Sequence, residues 1–202
     1  MNISVKVFNQ GHINVGLSDA LHRMQSDPRY DIEVRFYSYK PISHNGNLMV
    51  RDFLKEDADF LIMIDSDVVP LKNPLDLVKL NKDIISMPCP QWNTDDIYWV
   101  VMDKVKDGYR QVPLEKRGGL QEYDAVGTGC VIIARRVLET IKEPCSPKWE
   151  NGLMILGRDF YMCEKAKKAG FKVWAHWEYL CDHYKELSLL SVINLVQKYG
   201  SR

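Results

Sequence analysis

Three features of the sequence predict an α/β fold with a mainly parallel sheet. Residues 3–64 alternate strand-like and helix-like segments, the order that builds a parallel sheet with helices on its faces. Residues 61–64 are four apolar residues bounded by charge, too short a run for a helix and suited to a buried strand. After Trp92 the chain becomes aromatic and β-branched around Lys106-Asp107-Gly108, which reads as an antiparallel portion.

Taken in order, residues 3–8 form a first strand, and the loop NQGHINVG leads to a helix over 17–24 with Leu17, Leu21 and Met24 on one face. A second strand over 32–37 closes at Lys40-Pro41. A helix over 46–56, with Leu48, Phe53 and Leu54 turned to the sheet, delivers the chain to the central strand at 60–64. Pro70 and Asn73-Pro74 mark a turn before a brief helix carrying Leu75, Leu77 and Val78, and a strand over 83–87 ends at Pro88-Cys89-Pro90. Residues 97–102 and 109–113 pair across the Lys106-Asp107-Gly108 turn. GTGCVIIARRVLETI joins two glycines to an apolar run and a short amphipathic helix. The turn-rich CSPKWENGLMILG precedes a helix over 158–169, with Phe160, Cys163 and Ala166 buried and Gly170 as its stop. Two short strands, FKVWAH and EYLCDH, lead to a terminal helix whose Leu189, Val192, Ile193 and Val196 form one stripe, expected to pack on the core.

The 202 residues suit a single domain. Lys plus Arg and Asp plus Glu number 27 each, so no global field recruits nucleic acid or a membrane. Arg135-Arg136 and the lysines of 165–168 read as solvated helix faces. Five widely spaced cysteines without a C-x-x-C pair imply reduced thiols in a cytoplasmic compartment, not a disulfide framework or a zinc knuckle. Neither a leader nor an apolar run of membrane length is expected, so any membrane contact is peripheral.

The central strand runs into Asp65-Ser66-Asp67. If it persists, both carboxylates project to one side. Two acids so placed need a cation, and a divalent metal takes carboxylate oxygens while leaving positions for phosphate. Ligands of open α/β sheets sit outside the carboxyl ends of the strands; capping the next turn is the competing use of such acids. Asp159 opens a helix, where a first-turn acid complements the dipole. His183 closes a strand-like run, and a lone histidine is more often an ordinary residue than a ligand. Gly127 and Gly129 either admit a ligand or make a tight turn. Trp149 is either a platform for a sugar or a loop anchor.

Four pieces in fixed order, the strand with its DSD at 60–67, GTGCVIIARRVLE at 127–139, GRDFYMCEKAKKAGF at 157–171 and CDH at 181–183, together resemble the nucleotide-sugar glycosyltransferases of the GT-A fold, most closely the family 2-like inverting enzymes. The resemblance implies a Rossmann-like mixed sheet, mainly parallel and flanked by helices, with a smaller antiparallel portion. Within one catalytic domain over 1–202, residues 1–90 form the nucleotide-binding half and 91–202 the acceptor and catalytic half. It implies that Asp67 and His183 ligate Mn²⁺ or Mg²⁺, with Asp65 on the metal or the ribose, and that Asp159 is the general base. Phe8, Asn9, Gln10, Asn47, Arg51, Asp65 and Ser66 are implied to hold a UDP- or GDP-sugar. Gly127, Gly129, Trp149 and Arg158 are implied to line the side of the sugar and its hydroxyl acceptor. Family members usually carry an acid where this chain has Arg158, so that position meets a phosphate or carboxylate of the acceptor, or only solvent. The aromatic stretch 92–99 is a candidate oligomer interface.

Two other readings compete. A sugar-phosphate nucleotidyltransferase needs a basic glycine-rich loop after the first strand, and VFNQGHINVG carries no Lys or Arg. An inactive nucleotide- or sugar-binding module of the same fold has no reason to keep Asp65, Asp67, Asp159 and His183 together.

Overall fold

The computed structural model describes residues 2–9, 11–93, 96–186 and 188–200. In chain order, β1 (Asn2–Phe8), α1 (Val15–Gln25), β2 (Asp31–Tyr37), α2 (Ile42–Phe53) and β3 (Phe60–Asp65) realise the expected alternation, with β1 parallel to both β2 and β3. They are followed by β4 (Val68–Pro70), α3 (Leu75–Val78), β5 (Ile84–Ser86), β6 (Pro90–Asn93), β7 (Asp96–Trp99), β8 (Val101–Val105), β9 (Gly108–Gln111), β10 (Leu120–Tyr123) and β11 (Ala125–Val126). The remainder is β12 (Cys130–Ala134), α4 (Arg135–Thr140), β13 (Lys148–Glu150), β14 (Leu153–Leu156), α5 (Arg158–Lys168), β15 (Val173–His176), β16 (Cys181–His183) and α6 (Leu189–Gly200).

Seven strands form the main sheet in the order β10-β15-β5-β12-β3-β1-β2. β12 enters antiparallel between β3 and β5, and β10 is an antiparallel edge beside β15; the other five strands run the same way. The expected antiparallel portion is present, but its pairing is divided: residues 97–99 fall in β7, which pairs with β6, and only β8 pairs with β9 across the Lys106-Asp107-Gly108 turn, and with β11. Leu61, Ile62, Met63 and Ile64 of β3 are fully buried. At about 1.5–3 kcal/mol for each side chain of this kind taken out of water, β3 is a rigid support for whatever stands at its end.

Several expectations are corrected. Helix α2 begins at Ile42, directly after Pro41, so Asn45, Gly46, Met49, Val50 and Phe53 form its buried face, while Leu54 is exposed and Leu48 half-buried. The turn-rich stretch before α5 is a hairpin of β13 and β14, turned at Asn151-Gly152 with φ of 50° and 78°. Trp92, Tyr98 and Trp99 are half-buried rather than an exposed patch, and Trp99 meets Trp177 edge-on at 5.6 Å. The stripe of α6 faces solvent: Leu189, Val192, Ile193 and Val196 are all exposed.

Nor is the Arg135-Arg136 pair merely solvated. Arg135 donates to the carbonyls of Phe53, Glu56 and Ala58, closing the end of α2, and Arg136 pairs with Asp83 at 2.7 Å. Lys6 of β1 is fully buried, its Nζ 2.7 Å from Glu56 Oε1 and 3.4 Å from the Tyr37 hydroxyl. Removing one partner of a buried pair strands the other's charge. Glu56→Ala is therefore expected to cost about 3 kcal/mol in urea unfolding, with the slope unchanged. A loss of only a few tenths would show that water reaches Lys6.

Candidate active site

Strand β3 stops at Asp65, and Ser66-Asp67 form a turn into β4 rather than continuing the strand. The two carboxylates nevertheless line one cleft, because the turn is fixed from three directions. Asp65 N–H donates to the Gly129 carbonyl at 2.9 Å, Ser66 N–H to Phe8 at 2.8 Å, and Tyr184 N–H to Asp67 at 2.9 Å. The Ser66 carbonyl in turn accepts from Asn14 N–H at 3.0 Å. Pairing of β16 with β4 sets His183 opposite Val68, beside the turn. The cleft, about 450 Å³, is also walled by Tyr98, Arg158, Asp159, His183 and Lys185.

The acids divide by environment. Among the described residues, the buried Asp65 Oδ1 has no hydrogen-bond partner, and Arg158 stands 3.9 Å from it. Burial pushes the Asp65 carboxyl up to about 7, with Arg158 opposing and Asp159 and Asp67 reinforcing. Burial also raises Asp67, but the hydrogen bonds from His183 and Lys185 outweigh it and hold that carboxyl well below the usual range. Lys185 Nζ lies 2.6 Å and His183 Nε2 3.4 Å from Asp67 Oδ2. His183 Nδ1 is 2.8 Å from the Pro90 carbonyl, which only accepts, so Nδ1 carries a proton. Nε2 is then the nitrogen that faces Asp67: carrying a proton it donates to the carboxylate, and without one it turns its lone pair to the same place, the orientation of a metal-ligating histidine.

Asp159 stands on the first turn of α5. Its Oδ1 accepts from Thr128 Oγ1 at 2.8 Å and lies 3.2 Å from Arg158 Nε. Arg158 bridges the site: it reaches Asp65 and Asp159 and lies over the Phe8 ring at 4.7 Å. Burial works against its charge, but Asp159 and Asp65 prevail and keep the guanidinium protonated.

Asp65, Asp67, Arg158, Asp159 and His183, from three distant stretches of sequence, thus share one cleft, and Ser66 lies buried in the turn beneath it. Phe8 and Asn9 line a second hollow of about 700 Å³ with Tyr39, Lys40, Pro41 and Asn45, and Ile42 borders both spaces. Gln10 lies outside the described residues. Asn47 is engaged elsewhere, accepting from Cys145 N–H at 3.0 Å and donating to Ser146 Oγ at 3.0 Å. Arg51 is exposed and pairs with Asp52 at 3.1 Å. Trp149 lines a separate hollow with Tyr161 and Lys165. A β-carbon at Gly127 would stand 2.9 Å from Val100, and one at Gly129 3.2 Å from Cys89 Sγ, so the chain itself fills the space these glycines leave.

Two participants escape the sequence reading. Lys185 lies two positions beyond the CDH at 181–183, and Thr128 sits between the two glycines of GTGC, where the motif contains it without marking it. As the side chains stand, no three His, Cys, Asp or Glu residues among those described converge to hold an ion, and Lys185 occupies the place beside Asp67. The donor chemistry still fits a hard divalent ion. Asp65 offers an orphaned oxygen, Asp67 a carboxylate and His183 an oriented nitrogen.

No protein-family model matches the chain, and no curated protein matches it by sequence. Its structure is similar to that of A197 from STIV, with a TM-score of 0.64 and 17% identity over 92% of this chain and 87% of the other. It is also similar to GalNAc-T7, solved with UDP, GalNAc and Mn²⁺, with a TM-score of 0.54 and 12% identity over 93% of this chain. This chain spans 44% of that protein, less than half its length. Such identities speak for architecture alone: the chain has a mixed α/β fold of GT-A type, a large and mainly parallel sheet flanked by helices.

Proposed function

We propose that the chain is a metal-dependent glycosyltransferase that moves a sugar, with inversion, from a nucleotide-diphosphate donor to a hydroxyl acceptor. The observation that carries this reading is the convergence of 65–67, 158–159 and 183–185 in one cleft, adjoining through Ile42 the hollow of Phe8 and Asn9. In this reading the nucleoside of a UDP- or GDP-sugar lies along Phe8 and Asn9, and its diphosphate reaches the Asp65-Ser66-Asp67 turn. Asp67 and His183, with Asp65 behind them, would hold Mn²⁺ or Mg²⁺, which when bound supplies charge stabilisation for the departing diphosphate. Lys185, released from Asp67, adds a second positive group there.

Asp159 takes the proton of the acceptor hydroxyl as that oxygen bonds to the anomeric carbon and the bond from that carbon to the diphosphate breaks on the opposite face. Thr128 and Arg158 orient the carboxylate. A thermal-shift screen of nucleoside diphosphates with and without Mn²⁺ tests the donor side. One nucleotide, with metal, is expected to stabilise the protein by about 2.7 kcal/mol at a hundredfold excess over Kd. No shift from any nucleotide with metal present would sink the proposal.

A further inference from the structure

The outward face of α6 is unused by this chemistry. Leu189, Leu190, Ile193 and Val196 are 81%, 67%, 51% and 64% exposed. At 100° per residue Leu189, Val192, Ile193 and Val196 share one side, whereas Ser191, Asn194 and Lys198 share the other. Ser191 and Leu195 are half-buried and the least exposed of residues 189–199, so α6 meets the body along that edge and turns its apolar side outward. It carries no acidic residue, and its one charged residue, Lys198, lies on the polar side.

The dimensions select the occupant. Twelve residues make a helix about 18 Å long, well short of the roughly 30 Å hydrocarbon core of a bilayer, so α6 is suited to lie in an interface rather than to cross it. Its outward face, about 18 Å by 10 Å, amounts to roughly 200 Å², far below the roughly 800 Å² per partner of a stable protein interface. A short amphipathic helix with a wide apolar side and a polar side of Ser, Asn and Lys without an acid can bed its apolar side into a lipid headgroup region, held there by buried apolar area more than by charge. Two links tie α6 to the elements that wall the cleft. Lys185 in the cleft wall leads into Leu189, and the Tyr199 hydroxyl donates to Asp96, on the strand that carries Tyr98 into the same wall.

We propose that α6 docks this protein on a phospholipid surface, its apolar side in the boundary between headgroups and acyl chains. The cleft then opens beside the membrane, where an acceptor hydroxyl carried on a lipid is within reach. Docking goes beyond the transferase reading and is measured without donor or metal, so either can fail alone.

The test is co-sedimentation with vesicles of equal parts phosphatidylcholine and phosphatidylglycerol, with light scattering of the free protein alongside. The wild-type chain is expected to pellet with vesicles as a monomer in solution, and Ile193→Asp to lower the partition about tenfold. Leu114→Asp, at an apolar residue of the turn Leu114–Lys116 that is more open than Ile193, is expected to change nothing. Should Ile193→Asp fail to fold, Leu189→Asp at the most exposed position reads the same effect. Wild-type protein remaining in the supernatant would overturn the proposal. So would equal losses from Ile193→Asp and Leu114→Asp, or a dimer that Ile193→Asp dissociates, which would make a second copy the occupant.

Discussion

Asp159→Asn is expected to lower transfer about 10²- to 10⁴-fold while leaving donor affinity within about twofold, since this is the range a positioned general base contributes. The substitution keeps shape and much of the local bonding: an amide oxygen still accepts from Thr128 Oγ1 and faces Arg158. What it removes is the capacity to take a proton. Donor binding is assigned to the end of β3, and Asp159 stands at the start of α5, so the two functions separate by element. Single-turnover transfer and calorimetric titration of the donor measure them independently. Equal losses in both would show that Asp159 supports the diphosphate side, most directly by neutralising Arg158, which also faces Asp65. In that event the proton goes elsewhere and the inverting mechanism loses its base.

The first half of the fold is legible in the sequence because its signals are local. Apolar alternation fixes β1, a helical face fixes α1, and a bare apolar run ended by acids fixes β3. Helix α2 shows how a local error spreads. Reading its start four residues late misplaces the inferred face and turns Leu54 inward, where the observed helix leaves it exposed. The hairpin at Asn151-Gly152 had its signal in the dipeptide itself, obscured by the surrounding turn formers. Helix α6 is amphipathic as read, but periodicity reports that a face is apolar and not what covers it.

At the site the acids and His183 were readable as the ends of elements. Of the cations, the sequence marks Arg158 but not its turn inward over Phe8, and it leaves out Lys185, which meets Asp67 only because β16 pairs with β4, a contact between residues far apart in the chain. Thr128 is invisible for the same reason, being defined by Asp159 on a helix that begins thirty residues later. Asn47 of α2 faces Cys145 and Ser146, and Trp149 of β13 faces a separate hollow, long-range placements that no spacing rule encodes.

Asp67→Ala is expected to abolish the Mn²⁺-dependent part of donor binding, a loss of about 100-fold or more, given that even the partners of ligands cost 10- to 100-fold when removed. Binding without metal should respond in the opposite sense. In the wild-type chain Lys185 is held by Asp67 at 2.6 Å. Removing that carboxylate frees the ammonium to meet a phosphate directly and takes away a negative charge that repels the diphosphate. Titrating the variant with nucleoside diphosphate, in chelator and then in Mn²⁺, should therefore give an affinity at or above that of the wild-type chain in chelator and no gain on adding the ion. The paired measurement distinguishes two roles for the aspartate. If it holds a metal, the wild-type chain gains from Mn²⁺ and the variant does not. If its role is to position Lys185 as a fixed cation in place of an ion, neither protein responds to Mn²⁺, and the variant binds more weakly even in chelator. That second pattern would make Lys185, rather than a metal, the group that receives the leaving charge.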